Sequence, residues 1–137
     1  MKVLIDTNVA LDILLKRQDY PNAFAVFKLA EEKIISGYIS ASSITDIFFL
    51  SKKDLGKKPA KEALKGLLSV FKPAAVIDSH IYHALDMEWD DFEDSVQYIV
   101  GESFSADYII TRNTQDFASG SILAVTPKEF LQAITTV

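Results

Sequence analysis

Residues 3–17, VLIDTNVALDILLKR, decide how the chain is read. Val3-Leu4-Ile5 is a short continuous apolar run, the pattern of a buried strand, and Asp6-Thr7-Asn8 closes it as a helix cap would. Val9, Leu11, Ile13, Leu14 and Leu15 carry a helix on to about Lys16. Asp6 and Asp12 interrupt the apolar stretch and no small-residue cleavage site follows, so a first strand and helix are expected here, not a signal peptide.

The same alternation continues along the chain. Pro21 opens a second helix to about Ile35, Ser36-Gly37 stops it, and Tyr38-Ile39-Ser40 is a second strand. Ser42-Ser43 caps a helix holding Ile44, Ile47, Phe48 and Leu50. Gly56 breaks it before a lysine-rich helix running to Phe71, which Pro73 ends. Ala74–Ile77 reads as strand 3, Asp78-Ser79 as the cap of a short helix through Leu85. Asp90-x-x-Glu93 has capping-box spacing and opens a helix to about Phe104. Tyr108–Ile110 is strand 4, Thr111–Asp116 a loop, Ile122–Val125 strand 5, and Pro127 starts a last helix, Lys128–Ile134. Strands alternating with helices predict an α/β domain over residues 1–137, with a parallel sheet covered on both faces.

Composition agrees with one soluble domain: 137 residues, 49% hydrophobic and 24% charged, with few glycines or prolines to suggest disorder. The absence of cysteine removes disulfides, Cys-ligated zinc, iron–sulfur clusters and cysteine nucleophiles, and suits a reducing cytoplasm. No apolar run is long enough for a membrane span. The net charge of −5 speaks against a passive nucleic-acid coat but not against an enzyme that gathers acids around metal ions. Charge is also segregated. Six lysines (52, 53, 57, 58, 61 and 65) face only two acids in their stretch, and six acids (86, 88, 90, 91, 93 and 94) have no base among them.

In doubly wound sheets ligands lie at the carboxyl ends of the strands. The polar residues there are Asp6, Thr7 and Asn8 after strand 1, then Ser42, Ser43, Thr45 and Asp46 after strand 2. Thr111, Arg112, Asn113 and Asp116 follow strand 4. Carboxylates converging without an obvious Lys or Arg repel one another, and a hard divalent cation such as Mg²⁺ or Mn²⁺ is the usual remedy. Each acid also has a plain structural reading. Asp6 fits an N-cap, Asp46 a helix dipole, Asp116 a turn, and Asp90, Asp91 and Glu93 a helix start. Helical periodicity, with Phe92, Val96, Ile99 and Val100 inward, sends Asp94 to solvent. His80 and His83 lack a third ligand and read as surface or packing residues. No G-x-S-x-G elbow, P-loop or G-x-G-x-x-G is present. The lysine run is either a solvated helix face or a ridge that contacts phosphates. Trp89 and Phe48-Phe49 read as core or interface.

Taken in order, VLIDTNV (3–9), SSITD (42–46), DFEDSVQ (91–97), ADYIITRNTQDF (106–117) and VTPKEFL (125–131) resemble the PIN domain family, and more closely its VapC-like toxin branch. The resemblance implies sheet order 3-2-1-4-5 and a metal-dependent ribonuclease, using Mg²⁺ or Mn²⁺ on single-stranded RNA. By position it implies catalytic acids at Asp6, Asp46, Asp94 and Asp116. Asp6, Asp94 and Asp116 would hold the metal, with Asp91 nearby to share it. Asn8, Thr111 and Asn113 would orient the site, and Lys52, Lys53, Lys57 and Lys58 would track the RNA backbone. Asp46 stands where the family usually has Glu, and its carboxylate reaches about 1.3 Å less far. The expectation is a contact made through water, with weaker metal affinity or slower turnover. The resemblance further implies homodimers and a small antitoxin docking on apolar surface near helices 1 to 4. Two other readings remain: a catalytically weak PIN-like module for RNA binding or protein interaction, and a phospho-acceptor receiver domain, which would force Asp78 and Lys128 into its site. DNA cleavage is compatible with the same chemistry.

Overall fold

The computed structural model describes residues 1–135; the last two residues of the expected domain, 136 and 137, lie outside it. The elements are β1 (Lys2–Ile5), α1 (Thr7–Leu15), α2 (Tyr20–Glu31), β2 (Ser36–Ser40), α3 (Ala41–Leu55), α4 (Lys57–Leu68) and β3 (Lys72–Ala74). They continue with α5 (Asp78–Asp86), α6 (Phe92–Ser103), β4 (Tyr108–Ile110), a 3₁₀ turn (Thr114–Phe117), β5 (Leu123–Val125) and α7 (Pro127–Thr135).

The strands form one parallel sheet in the order β3-β2-β1-β4-β5, as the resemblance implied. A receiver domain orders its doubly wound sheet 2-1-3-4-5, so that alternative is excluded. The continuous apolar runs are explained by burial on both faces. Val3 and Ile5 of β1 and Ile110 of β4 point into a core with α1, α2, α3, α4 and α7. Leu4 and Ile109 point the other way, into a second core with Ala84 of α5 and Val96, Ile99 and Val100 of α6. Each fully buried Leu, Ile or Val contributes about 1.5–3 kcal/mol.

Several boundaries differ from expectation; α2, for one, ends at Glu31 and α4 at Leu68, short of Ile35 and Phe71. Strand 3 is Lys72–Ala74, not 74–77. Pro73 lies inside it because β3 is an edge strand, where a missing N–H is tolerated. Strand 2 starts at Ser36 and contains Gly37, which lets the buried Phe71 ring lie against the backbone; a Cβ there would meet Phe71 Cδ1 at 2.4 Å. Helix α3 starts earlier than Ser42-Ser43, with Ser40 at the N-cap position and no side-chain capping bond. The Ser40 and Ser42 hydroxyls pair at 2.6 Å, and Ser43 is buried in the helix.

Candidate active site

The site begins where β1 ends. The Asp6 backbone N–H still donates to Ile110 O of β4 (3.0 Å), so the residue extends the ladder while serving as N-cap of α1. The residue is only 6% exposed. Oδ1 accepts from the Thr7 backbone N–H (2.7 Å) and from Gln97 Nε2 (3.0 Å), and Oδ2 accepts from the Thr111 hydroxyl (2.7 Å). The donors are all neutral, so the carboxylate is held in place but given no countercharge.

Thr111 follows β4, and its Oγ1 also accepts from the Asn113 backbone N–H (3.0 Å). Asn8 Oδ1 accepts from the Arg112 backbone N–H at 3.3 Å, tying α1 to the same loop. Asn113 thus enters through its backbone, whereas Thr111 and Asn8 enter through their side chains.

The acids of α6 close on Asp6 from the other face of the sheet. Asp91, not Asp90, is the N-cap, and its Oδ1 accepts from the Asp94 backbone N–H (3.0 Å). Asp94 is half-buried rather than solvated, because α6 is covered on every side from Ser95 to Gly101, and an apolar stripe does not mark its only inner face. Its carboxyl is pushed up to about 7, first by burial and then by Asp91, Asp6, Asp116 and Glu93. Burial, followed by Asp46, Asp6 and Asp91, also raises Glu93, against a hydrogen bond from the Thr7 hydroxyl (3.4 Å). Asp46 on α3 and Asp116 in the 3₁₀ turn are both exposed and act on this cluster through their charge. A cleft of about 180 Å³ is lined by Asp90, Asp91, Asp94 and Asp116 with Trp89 and Gln115 among others. A larger cavity lies beside Ser36 and Gly37, at the opposite end of the strands from these acids.

The ion pairs among the described residues are Lys28–Glu31, Lys65–Glu62 and Arg112–Asp12, so Asp6, Asp46, Asp91, Glu93, Asp94 and Asp116 have no Lys or Arg partner. The donor set is oxygen alone, which suits a hard divalent cation. Among the described residues no three acids form a ready ligand cage. Mg²⁺ does not need one, because it keeps several waters and is held through one or two carboxylates. The residues fit such an ion.

Glu93 and Gln97 are the residues that sequence reasoning missed as parts of the site. They lie four apart on α6 beside Asp94, and a polar stripe at helical spacing within a buried helix was the available signal. Lys52, Lys53, Lys57 and Lys58 are exposed, and Lys52 lies about 9 Å of helix rise beyond Asp46. Lys53 Nζ sits 4.7 Å from the ring centre of the exposed Phe49. Trp89 packs on Tyr98 and Phe117, and His80 Nδ1 accepts from the Ile77 backbone N–H.

A family model described as PIN domain matches residues 2–115. Among solved structures, the chain is similar to VapBC2 from Rickettsia felis bound to a DNA fragment of its promoter, with 15% identity and a TM-score of 0.71 over 92% of this chain and 98% of that one. It is also similar to a toxin–antitoxin complex from Klebsiella pneumoniae (24% identity, TM-score 0.65, 91% and 97% covered). A third is VapBC-1 from nontypeable Haemophilus influenzae (12%, 0.67, 93% and 99%). No curated protein matches the sequence.

Proposed function

The chain belongs to the PIN domain family, a family of nucleases, and from that premise we propose that it is a Mg²⁺- or Mn²⁺-dependent endoribonuclease hydrolysing phosphodiester bonds in single-stranded RNA. The observation that carries the reading is a carboxylate, Asp6, locked by three neutral donors among five further acids that no cation offsets.

In this reading Asp6, Asp94 and Asp116 hold the metal, with Asp91 sharing it, and Asp46 completes the catalytic set by orienting the attacking water. When bound, such an ion supplies a water of lowered pKa and offsets charge on the phosphate oxygens. Thr111 fixes Asp6 Oδ2, while Asn8 and Asn113 hold the loop that carries Thr111. Gln97 keeps Asp6 Oδ1 turned inward. Lys52, Lys53, Lys57 and Lys58 would meet RNA only beyond the cleft.

The chain is further proposed to act as the toxin of a toxin–antitoxin pair, as a homodimer restrained by a small antitoxin protein in the cytoplasm. Support comes from the toxin–antitoxin complexes whose fold it shares and from the absence, among the described residues, of a helix able to cross a membrane. The competing reading, a catalytically weak RNA-binding or protein-interaction module, draws on Asp46, which is exposed and one methylene shorter than the family's usual Glu.

Cleavage of labelled single-stranded RNA with Mn²⁺, Mg²⁺ or EDTA, beside Asp6→Asn, tests the proposal. Metal-dependent cleavage that disappears in the variant is expected. Folded, inhibitor-free protein that cuts nothing with either metal would favour the interaction module.

A further inference from the structure

Resting on the ribonuclease reading, we propose that Arg112, oriented by the buried Asp12, binds a phosphate of the RNA backbone beside the carboxylate cleft. A polyanion approaching six acids is repelled. A cation in the cleft answers for the phosphate being cut, but flanking phosphates need a fixed positive group close to it. Lys52 and Lys53 are displaced from Asp46 by about two turns of α3. Arg112 adjoins the site, because it follows Thr111, whose hydroxyl holds Asp6, and its own N–H donates to Asn8.

Its side chain is set in an unusual way. Arg112 Nε lies 3.1 Å from Asp12 Oδ2, the Asp12 side chain is 0% exposed and that of Arg112 is 39% exposed. Neither Asp12 oxygen has a hydrogen bond among the described residues, so the Arg112 charge is the main answer to its own. The contact at 3.1 Å is made through Nε, and the Nη groups donate no hydrogen bond among the described residues. The chain's other arginine, the exposed Arg17, donates its backbone N–H to Asp12 O (3.1 Å), and its charge also acts on Asp12, against that of Asp19. Both arginines therefore gather at one buried acid. A guanidinium fork held at one edge and open at the other suits bidentate capture of a phosphate, which a lysine cannot copy. Nothing in the catalytic set uses Asp12, and a buried charge without hydrogen bonds is a cost that its ion pair with Arg112 offsets only in part.

Fluorescence anisotropy of a labelled single-stranded RNA in EDTA reads binding without turnover. Arg112→Gln is expected to weaken affinity about tenfold and to lower the slope of log affinity against log salt by about 0.7, the value of one lost phosphate contact. Arg112→Lys, which keeps a charge opposite Asp12 and so protects the fold, should also bind more weakly, and Lys72→Gln, at the opposite end of the strands from the acids, should not. Unchanged affinity and slope in both Arg112 variants would overturn the proposal, as would a loss confined to a carboxylate-rich peptide, which would assign Arg112 to a protein partner. A merely structural role for the pair would lower Tm and leave the slope unmoved. A parent chain that binds no RNA in EDTA would overturn the grip but not the ribonuclease reading, which the metal-dependent cleavage assay tests on its own.

Discussion

Asp6, the N-cap of α1, and Asp12 within that helix are buried acids six residues apart, and the fold treats them in opposite ways. Asp6 receives hydrogen bonds from Thr7, Gln97 and Thr111 but faces only other acids. Asp12 receives no hydrogen bond among the described residues but has Arg112 at 3.1 Å. Geometry without countercharge suits a position that a mobile cation completes, and countercharge without hydrogen bonds suits one that orients its partner. Burial alone thus does not tell a catalytic carboxylate from a structural one; the kind of partner does.

The largest effect that would sharpen this contrast is on turnover. Asp6→Ala should lower RNA cleavage about 100-fold or more while the circular dichroism spectrum stays native, and retained activity would remove Asp6 from the site. Arg112→Ala should lower stability as well as RNA affinity, costing about 3 kcal/mol in urea denaturation at pH 8. Burial raises the Asp12 carboxyl, so protonation relieves the stranded charge and the loss should shrink as pH falls.

Asp94 gives a third test, with a definite sign. Its carboxyl sits at about 7 in the fold against 3.8 for an ordinary Asp, so the native chain holds the proton that the unfolded chain has released. Metal-free stability should therefore fall as pH rises from about 4 to about 7 and level off above. Asp94→Asn should remove most of that slope and raise stability at pH 8 by about 1–3 kcal/mol, with little change below pH 4. An unaltered slope of Tm against pH would break the assignment. The smallest effect is expected of Gln97→Leu, which leaves Asp6 two donors; cleavage should drop about tenfold with little change in KM for RNA.

These differences were unequally legible in the sequence. Val3–Ile5 and Asp6-Thr7-Asn8 announced a strand and its cap because the run is apolar without alternation, as burial on both faces requires. The strand order came from the family resemblance and not from spacing. Asp94 was misplaced by periodicity, since a helix enclosed on all sides has no single inner face. Gln97 carries no charge, and its bond to Asp6 spans 91 residues, so only its place in a polar stripe of a buried helix signalled it. Asp12 showed only as an interruption in an apolar helix. Its meaning depends on Arg112, a hundred residues away, brought beside it by the pairing of β1 with β4.

The central claim is that the Asp6 end of α1 awaits a divalent cation. Calorimetric titration of Mn²⁺ into the folded, metal-free chain at pH 6 and pH 8 tests it most directly. Binding that tightens at pH 8, releases protons at pH 6 as the Asp94 carboxyl gives up its own, and is lost in Asp6→Asn is the predicted result. Folded protein that takes up no Mn²⁺, or that binds it equally well after Asp6→Asn, would contradict the account.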